Sequence, residues 1–569
     1  MATVSTVRPE LRESTSSTHR AGILTAVSLA IMLVAVLLGT RSTFLGDTKA
    51  YAGYVASVVK GLVPFALLID FTHVIWVPLG VGMARFGGGN WEVVRRQAAL
   101  NLIYVNMLAS AVGLAALWIL MRLIKGVRPG AALLACVTFL CTNGFLLFSR
   151  TGTSYIPAMT CLLVACCFSV EASRRSSWSL SACAALFVAA SVLFWVPYAF
   201  ASISIACAPL LVWEQENPGR RLLLSGLRIL PLAGLFVLAA YALAAYIKDI
   251  HTAAQVRDWM RGSIVQVDRY HEWLRMLFGL PRSFLVMGDE GVRWKRFLFH
   301  DPYAEVKWWN LLGSAWKIVL FYITMGVTLL QLKRWPWLLL WTIVVVVPTL
   351  AVAVAFEASS PERYLALYPA VFLALAWILS QREARPARIL IVIFCGVLIV
   401  TNLWANWRFR VDGQRARTMA RYGSIVTLPE SEIRDPTVYA LNMNDDLVRL
   451  YDPLDPSLDR TPTVQVLIPV MDKGIANWRY GIADTMLKTW RRGSEVWVTK
   501  RAWADQPQRD WNWVEGDDLR VPWTDVGAFL WPFQVDAQVG GADGFNRIAD
   551  TSANRARAAA VVQNKATEH

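Results

Sequence analysis

The segment "LVPFALLIDFTHVIWVPLGVGM" (Leu62–Met83) determines the membrane topology of the rest of this chain. Whether it crosses the membrane decides which side each later loop faces. The segment is apolar and long enough to cross a bilayer, since a spanning helix needs about 20 residues. However, Pro64 and Pro78 interrupt helical hydrogen bonding, and Asp70 and His73 are costly in contact with lipid. The sequence therefore predicts that Leu62–Met83 lies along the membrane interface and does not cross it.

The composition of the whole chain is that of a polytopic α-helical membrane protein. Hydrophobic residues make up 56% of its 569 residues and charged residues only 17%, against about 25% charged in typical soluble domains. A soluble fold is excluded because too little polar sequence is present to cover its surface. We predict about 11 transmembrane helices, over residues 22–40, 99–121, 130–148, 154–172, 178–195, 198–213, 222–246, 311–332, 336–356, 363–380 and 388–405.

The distribution of basic residues also indicates that Leu62–Met83 does not cross the membrane, because short cytoplasmic loops of membrane proteins are rich in Lys and Arg. If the segment does not span and residues 1–21 are cytoplasmic, every basic short loop falls on the cytoplasmic side. These loops contain Arg122, Lys125, Arg128, Arg174, Arg175, Arg220, Arg221, Lys333, Arg334, Arg382, Arg385 and Arg388. The opposite short loops, 149–153 and 196–197, contain only Arg150. Membrane orientation thus accounts for much of the net charge of +15, and no nucleic-acid partner is predicted.

This topology predicts a multi-pass protein of the plasma (inner) membrane with two main parts. Residues 22–405 form the membrane domain, with outer loops at 41–98 and 247–310. Residues 406–550 form an extracytoplasmic soluble domain, and residues 551–569 are a flexible tail, either a frayed helix or disordered.

The soluble domain is predicted to have a mixed α/β fold. Thr463–Met471 and Ser494–Lys500 have the composition of strands, and Gly481–Arg492 between them has that of a helix. All eight cysteines lie in predicted membrane helices, so disulfides are not expected.

Ionisable residues cluster on four elements of the predicted outer face. They are Asp47 with Tyr51, Asp70 with His73, Asp289 with Glu290, and Glu362 with Arg363 and Tyr364. Arg85, Arg95 and Arg96 also fall on this side, against the usual distribution of basic residues. They indicate either an anionic ligand there or a loop that carries them without function.

This arrangement resembles the GT-C superfamily of polyprenyl-phosphate-sugar-dependent glycosyltransferases. The similar branch is that of protein O-mannosyltransferases and lipid A aminoarabinose transferases, which are family 39-like enzymes. It has an acid and a tyrosine after the first helix, followed by an Asp-x-x-His-Pro-Pro-Leu-like element. The matching residues are Asp47, Tyr51, Asp70, His73, Pro78 and Leu79. The chain departs from the pattern at Thr48, where the branch has a second acid, and in the spacing between His73 and Pro78.

The resemblance implies transfer of a sugar from a polyprenyl-phosphate donor to a glycan, lipid or protein acceptor on the outer face. A carboxylate would take the acceptor proton, and cations would stabilise the phosphate leaving group. Asp47, Asp70 and His73 are the candidate catalytic residues. The candidate substrate-binding residues are Tyr51, Arg95, Arg96, Glu362, Arg363 and Tyr364.

Alternatives remain for several of these residues. Asp47 is a catalytic base or a solvated loop acid, Asp70 a functional acid or a group paired with His73, and Arg363 a phosphate ligand or an interfacial anchor. Asp289 and Glu290 are solvated, line the site or bind a divalent cation. Because no outer loop contains a DxD spacing, we expect no metal and no other cofactor.

Two other functions are compatible with the sequence. A transporter or lipid flippase would need ionisable groups near the middle of several helices and inverted repeats, and only Asp70 comes close. A membrane-anchored cell-envelope assembly protein would act through residues 406–550, which carry no catalytic signature. In all three cases membrane lipids are partners.

Overall fold

The computed structural model describes two compact units of the chain. The described residues are 22, 24–34, 36–37, 47–85, 89, 91–212, 218–263, 272–287, 309–356, 358, 360–408, 437–440, 464–466, 478–491, 493, 495–499, 503, 523–539 and 545–566. The first unit takes residues up to 265, 271–288 and 314–407, and the second takes the remainder. The predicted cytoplasmic segment 1–21 lies outside the described residues.

The first unit is helical. Its first half contains α1 (Leu24–Val34), α2 (Thr48–Val59), α3 (Trp76–Ala84), α4 (Trp91–Leu123), α5 (Pro129–Leu140), α6 (Asn143–Phe148), α7 (Tyr155–Arg175) and α8 (Trp178–Phe194). Its second half contains α9 (Tyr198–Ala201), α10 (Ile203–Ala206), α11 (Pro218–Ile247), α12 (Ala253–Ser263), α13 (Glu272–Phe284), α14 (Trp309–Leu332), α15 (Pro336–Phe356), α16 (Tyr368–Ser380) and α17 (Arg385–Arg408). Short 3₁₀ helices occur at Phe65–Leu68, Ala208–Val212 and Pro361–Leu367.

The chain is a polytopic helical membrane protein. Among the described residues, seven helices are long and apolar enough to cross a membrane. They are Val93–Leu123, Tyr155–Arg175, Leu222–Ile247, Leu311–Leu332, Pro336–Phe356, Pro361–Ser380 and Arg385–Ala405. Two of the predicted continuous runs are interrupted, 130–148 between α5 and α6 and 198–213 into three short pieces. The total of about 11 spans stays a prediction.

Leu62–Met83 does not form a continuous helix. It contains the 3₁₀ helix Phe65–Leu68 and then α3, which begins at Trp76 and includes Pro78. The residues between them, 69–75, carry Asp70 and His73 outside regular structure. The segment is therefore broken ahead of α3, over the stretch that carries Asp70 and His73. Pro78 does not interrupt it, because it lies in the first turn of α3.

Hydrogen bonds join the connecting segments of the first unit into two groups. One group joins Thr48 to Gly152, His73 to Ser154, Thr72 to Val196 and Ser283 to Pro361. The other joins Arg174 to Leu123 and Arg128 to Ser380. This grouping matches the alternation of sides expected if Leu62–Met83 does not span. Which group faces the cytoplasm stays a prediction.

Cysteine labelling in sealed right-side-out vesicles tests that prediction. Arg257→Cys adds one exposed thiol in α12, in the same predicted loop as Ser283 of the first group. Lys125→Cys adds one exposed thiol after α4, between Leu123 and Arg128 of the second group. A membrane-impermeant maleimide is expected to label Arg257→Cys at once and Lys125→Cys only after the vesicles are opened. The unsubstituted chain gives the background from its native cysteines. The reverse order of labelling would contradict the topology.

The second unit contains a mixed five-stranded sheet in the order β2-β1-β3-β5-β4. Its strands are β1 (Thr437–Ala440), β2 (Val464–Val466), β3 (Val496–Thr499), β4 (Val535–Val539) and β5 (Phe545–Ile548), and its helices are α18 (Trp478–Arg491), α19 (Trp523–Leu530) and α20 (Ser552–Ala566). The predicted strand–helix–strand order appears as β2, α18 and β3. The two predicted strands are not neighbours, because β1 pairs in parallel with both of them.

The last described helix, α20, covers most of the segment predicted as a flexible tail. Asn554 is fully buried and donates hydrogen bonds to the carbonyls of Gln534 and Ala549, at 3.0 and 2.8 Å. Ala558, one turn further, is also fully buried. Residues 552–566 thus form a packed helix of the second unit, and the disordered alternative does not apply to them.

Candidate active site

A buried polar turn, residues 149–154, lies between α6 and α7. Ser149, Thr151 and Ser154 have no exposed surface, so their polar groups need partners inside the protein. Asn106 of α4 supplies two of them, since its side-chain amide donates to the carbonyls of Thr151 and Thr153. The polar turn is therefore a fixed part of the helical bundle.

The polar turn fixes the start of α2 through Gly152. The amide N–H of Gly152 donates to Thr48 Oγ1 at 2.7 Å, and its carbonyl accepts from Trp76 Nε1 at 2.9 Å. Thr48 is fully buried. A carboxylate at position 48 would therefore be buried against this backbone.

Gly152→Ala is expected to lower stability by about 1–3 kcal/mol, the usual cost of overpacking a core. An added Cβ would lie 2.8 Å from Thr48 Cγ2 and 3.0 Å from Leu102 Cβ. The melting temperature of the purified protein measures the effect. Gly130→Ala is the control, because a Cβ there meets no atom within 4 Å. Equal melting temperatures for the two variants would contradict the close packing at Gly152.

His73 is held by the polar turn and by the end of α8. Its Nδ1 lies 2.9 Å from the carbonyl oxygen of Phe194 and 2.7 Å from Ser154 Oγ. Because a carbonyl can only accept, this hydrogen-bond pattern assigns the proton to Nδ1. Burial lowers the pKa of His73, so the ring is neutral near pH 7.

Two tyrosines flank the His73 ring. Tyr51 and Tyr155 meet it edge-on, with ring centroids 5.9 and 6.1 Å away. Burial raises the pKa of Tyr51 well above its usual value, so its hydroxyl stays protonated. The predicted proximity of Tyr51 and His73 is therefore present in the structure.

Asp70 closes a local turn. Its Oδ1 accepts from the backbone N–H of Thr72 at 2.6 Å and from Thr72 Oγ1 at 2.5 Å. This is the short-range pattern typical of Asp in turns. These bonds go to Thr72, whereas Nδ1 of His73 contacts Phe194 and Ser154, so the direct Asp70–His73 pair considered from the sequence is not formed through these atoms.

Asp47 is exposed immediately before α2. Tyr155 Oη donates to its Oδ2 at 3.5 Å, the long limit of a hydrogen bond. Asp47 is thus a solvent-accessible carboxylate beside a tyrosine hydroxyl.

Arg363 approaches the same aromatic group from the 3₁₀ helix Pro361–Leu367. Its guanidinium carbon lies 5.1 Å from the ring centroid of Trp195, and its side chain is 16% exposed. Trp195 in turn meets Tyr155 with centroids 5.0 Å apart. The charge of Arg363 also contributes to lowering the pKa of His73. Tyr155 and Trp195 therefore connect the Asp47 carboxylate with the Arg363 cation.

Glu362 and Tyr364 differ in what they can contact. Glu362 Oε1 lies 4.0 Å from Arg363 Nε, and its side chain is 12% exposed. Tyr364 is fully buried, and its hydroxyl donates to the carbonyl of Ala358 at 2.5 Å. Tyr364 therefore supports the 3₁₀ helix, and its expected contact with substrate does not agree with this burial.

The remaining predicted residues are not brought into this group. Arg95 and Arg96 lie half-buried on the first turns of α4, and the contacts described above do not include them. Asp289 and Glu290 lie outside the described residues. Within the described part of the chain, no three His, Cys, Asp or Glu side chains are grouped as metal ligands.

Sequence reasoning missed four residues of this group: Thr48, Ser154, Tyr155 and Trp195. One signal was available, because "SRTGTSY" (Ser149–Tyr155) is a polar run between two strongly apolar ones. A short connection alone would not need so many hydroxyl groups. Trp195 carried no comparable signal.

Comparison with known proteins gives structural similarity alone. No protein-family model and no curated protein matches the chain. It is similar to ArnT from Cupriavidus metallidurans bound to undecaprenyl phosphate, with a TM-score of 0.48 and 12% identity over 94% of this chain and 98% of that chain. For the apo state of that protein the TM-score is 0.39 and the identity 14%, over 94% and 99%.

Proposed function

We propose that this chain is a membrane glycosyltransferase. It moves a sugar from a polyprenyl-phosphate donor to an acceptor on the extracytoplasmic face of the plasma membrane. The observation that carries the proposal is the pairing of an exposed carboxylate, Asp47, with a partly exposed cation, Arg363, across Tyr155 and Trp195.

Asp47 is proposed as the general base. The acceptor oxygen or nitrogen attacks the anomeric carbon and loses its proton to the Asp47 carboxylate. The bond from the anomeric carbon to the phosphate oxygen breaks, and its electron pair stays on the polyprenyl phosphate. Tyr155, which donates to the same carboxylate, orients Asp47 toward the acceptor. No step uses a metal ion.

Arg363 is proposed to bind the phosphate. A guanidinium can donate two parallel hydrogen bonds to a phosphate, and it stabilises the negative charge that develops as the sugar leaves. The Trp195 face holds the guanidinium in place before the donor arrives, which reduces the cost of ordering it on binding.

The positions of the same residues favour a glycosyltransferase over a transporter. Transport sites place ionisable groups within the membrane-spanning part of the bundle. Here Asp47 precedes a helix, His73 lies between two helical segments, and Arg363 lies on the first turn of a candidate span. The ionisable residues are therefore placed at helix ends.

The test is an assay of purified chain in liposomes with synthetic polyprenyl-phosphate pentoses and hexoses. Release of free polyprenyl phosphate, together with glycosylated acceptor from an envelope extract, supports the proposal. Movement of an intact donor between leaflets without its cleavage would contradict the proposal and favour a flippase.

A further inference from the structure

Three side chains bind the backbone of residues 66–71. One lies near the end of α11, one immediately follows that helix, and one belongs to α12. We name Tyr241, Lys248 and Trp259 the clamp residues. Each donates a side-chain hydrogen bond to a main-chain carbonyl. The acceptors are, in the same order, the carbonyls of Phe71, Ala66 and Ile69, at 2.7, 2.8 and 2.9 Å.

The clamp residues supply hydrogen-bond donors to carbonyls of this backbone. Residues 69–73 lie outside regular structure, so their carbonyls need partners other than a helical ladder. The contact is also apolar, because the ring of Phe71 lies 5.0 Å from Tyr241 and 5.2 Å from Trp259, centroid to centroid. The Lys248 ammonium lies 5.7 Å from the Trp259 ring centroid. The clamp residues therefore contact one another as well as the segment.

Within residues 253–261 of α12, Trp259 is half-buried and the other side chains are exposed. Over these residues, the side chain that is withdrawn from solvent is therefore the one that binds Ile69. Burial lowers the pKa of Lys248, and the charge of Asp70 acts in the opposite direction.

The next residues of the segment are held from the other side, by the end of α8. The carbonyl of Thr72 accepts from the N–H of Val196 at 3.2 Å, and His73 contacts Phe194 as described. We infer that the clamp residues are positioning residues, which fix the segment carrying Asp70 and His73 next to Tyr51 and Tyr155. The expected effect of the clamp on sugar transfer rests on the proposed function. The expected effect of the clamp on the position of residues 66–73 does not.

The first test is the reactivity of His73 in Trp259→Phe and Tyr241→Phe. Each variant removes one hydrogen-bond donor and keeps an aromatic ring. Diethyl pyrocarbonate modifies neutral imidazole, and peptide mass spectrometry reports each histidine separately. Loss of one bond should raise the rate at His73 about three- to tenfold. His251, which is exposed, is the internal reference.

Trp118→Phe is the matched control. It removes an indole N–H that donates to the carbonyl of Gly22 at 3.0 Å, away from the segment. It should leave His73 as protected as in the parent chain. Unchanged protection of His73 in both clamp variants would overturn the inference. An equal rise in Trp118→Phe would also overturn it, because the effect would then be general loosening.

The second test is steady-state transfer by the same variants. The clamp variants should lower kcat about tenfold with little change in KM, since a misplaced group weakens the reacting geometry more than binding. Faster modification of His73 with unchanged kcat would overturn the catalytic part of the inference. If the parent chain transfers no sugar, the proposed function fails, and the His73 rates still decide whether the clamp holds the segment.

Discussion

Asp47→Asn is expected to lower the turnover of sugar transfer by about 10²–10⁴-fold, the usual contribution of a general base. The amide keeps the shape of the carboxylate and can still accept from Tyr155, but it cannot take a proton from the acceptor. KM for the donor should change little, because the proposed phosphate ligand, Arg363, is untouched. Initial rates at saturating donor, with the melting temperature as a check on folding, measure the effect.

The fold should tolerate this substitution. Asp47 is exposed, and within the described residues its side chain makes no capping hydrogen bond to α2. The buried contact at this helix end belongs to Thr48 instead. A loss of turnover in Asp47→Asn would therefore reflect chemistry more than unfolding.

Asp70→Asn and Glu362→Gln are the comparison variants, since each removes another acid near the same aromatic group. An asparagine at 70 can still accept through Oδ1 from Thr72, so the local turn should survive. Near-native turnover in Asp47→Asn with a loss in one of the others would assign the base to that residue. Full activity in all three variants would contradict acid–base chemistry on this face.

Arg363→Ala should weaken binding of polyprenyl phosphate about 10- to 100-fold. A hydrogen bond to a charged group contributes about 1.5–3 kcal/mol, and each 1.4 kcal/mol changes Kd about tenfold. Arg363→Lys should restore only part of the affinity, because an ammonium lacks the planar fork that binds phosphate and stacks on Trp195. Equilibrium binding of radiolabelled polyprenyl phosphate in detergent micelles measures all three proteins.

Arg257→Ala is the control for charge, because Arg257 is exposed on α12 and outside the Trp195 group. Arg95→Ala and Arg96→Ala test the other cations predicted for this ligand. If Arg95→Ala or Arg96→Ala binds polyprenyl phosphate more weakly and Arg363→Ala binds it normally, the phosphate site would be assigned to the start of α4. The base assignment would be unaffected, because it depends on Asp47.

Much of the membrane fold follows from local features of the sequence. The long apolar runs predict the spans, and two prolines with two ionisable residues predict that Leu62–Met83 is broken. The division of 198–213 into short pieces is harder to predict, because Pro209 is the only local sign of it. The position of β1 between β2 and β3 depends on pairing between distant segments, which neither strand pattern reveals.

In the candidate site, too, some residues can be predicted from the sequence, and others depend on contacts that form only on folding. Asp47, Tyr51, His73 and Arg363 could be named as candidates because they belong to a short motif or a helix end. Tyr155 and Asp47 are separated by more than a hundred positions, and their contact exists only in the folded bundle. Tyr364 was misplaced because successive residues of a 3₁₀ helix point about 120° apart, so the neighbour of Arg363 does not share its direction.

The paired residues at the start of α2 and of α7 have a consequence for how this protein can evolve. Thr48 and Ser154 are inaccessible and bind the Gly152 backbone and the His73 ring, while their neighbours Asp47 and Tyr155 meet each other at the proposed site. A mutation can therefore alter the chemistry at Asp47 or Tyr155 without removing the hydrogen bonds that hold the framework. Among descendants that keep the proposed transfer, natural variation should therefore be narrow at position 47, which carries the base, and at positions 48, 152 and 154, which carry the framework.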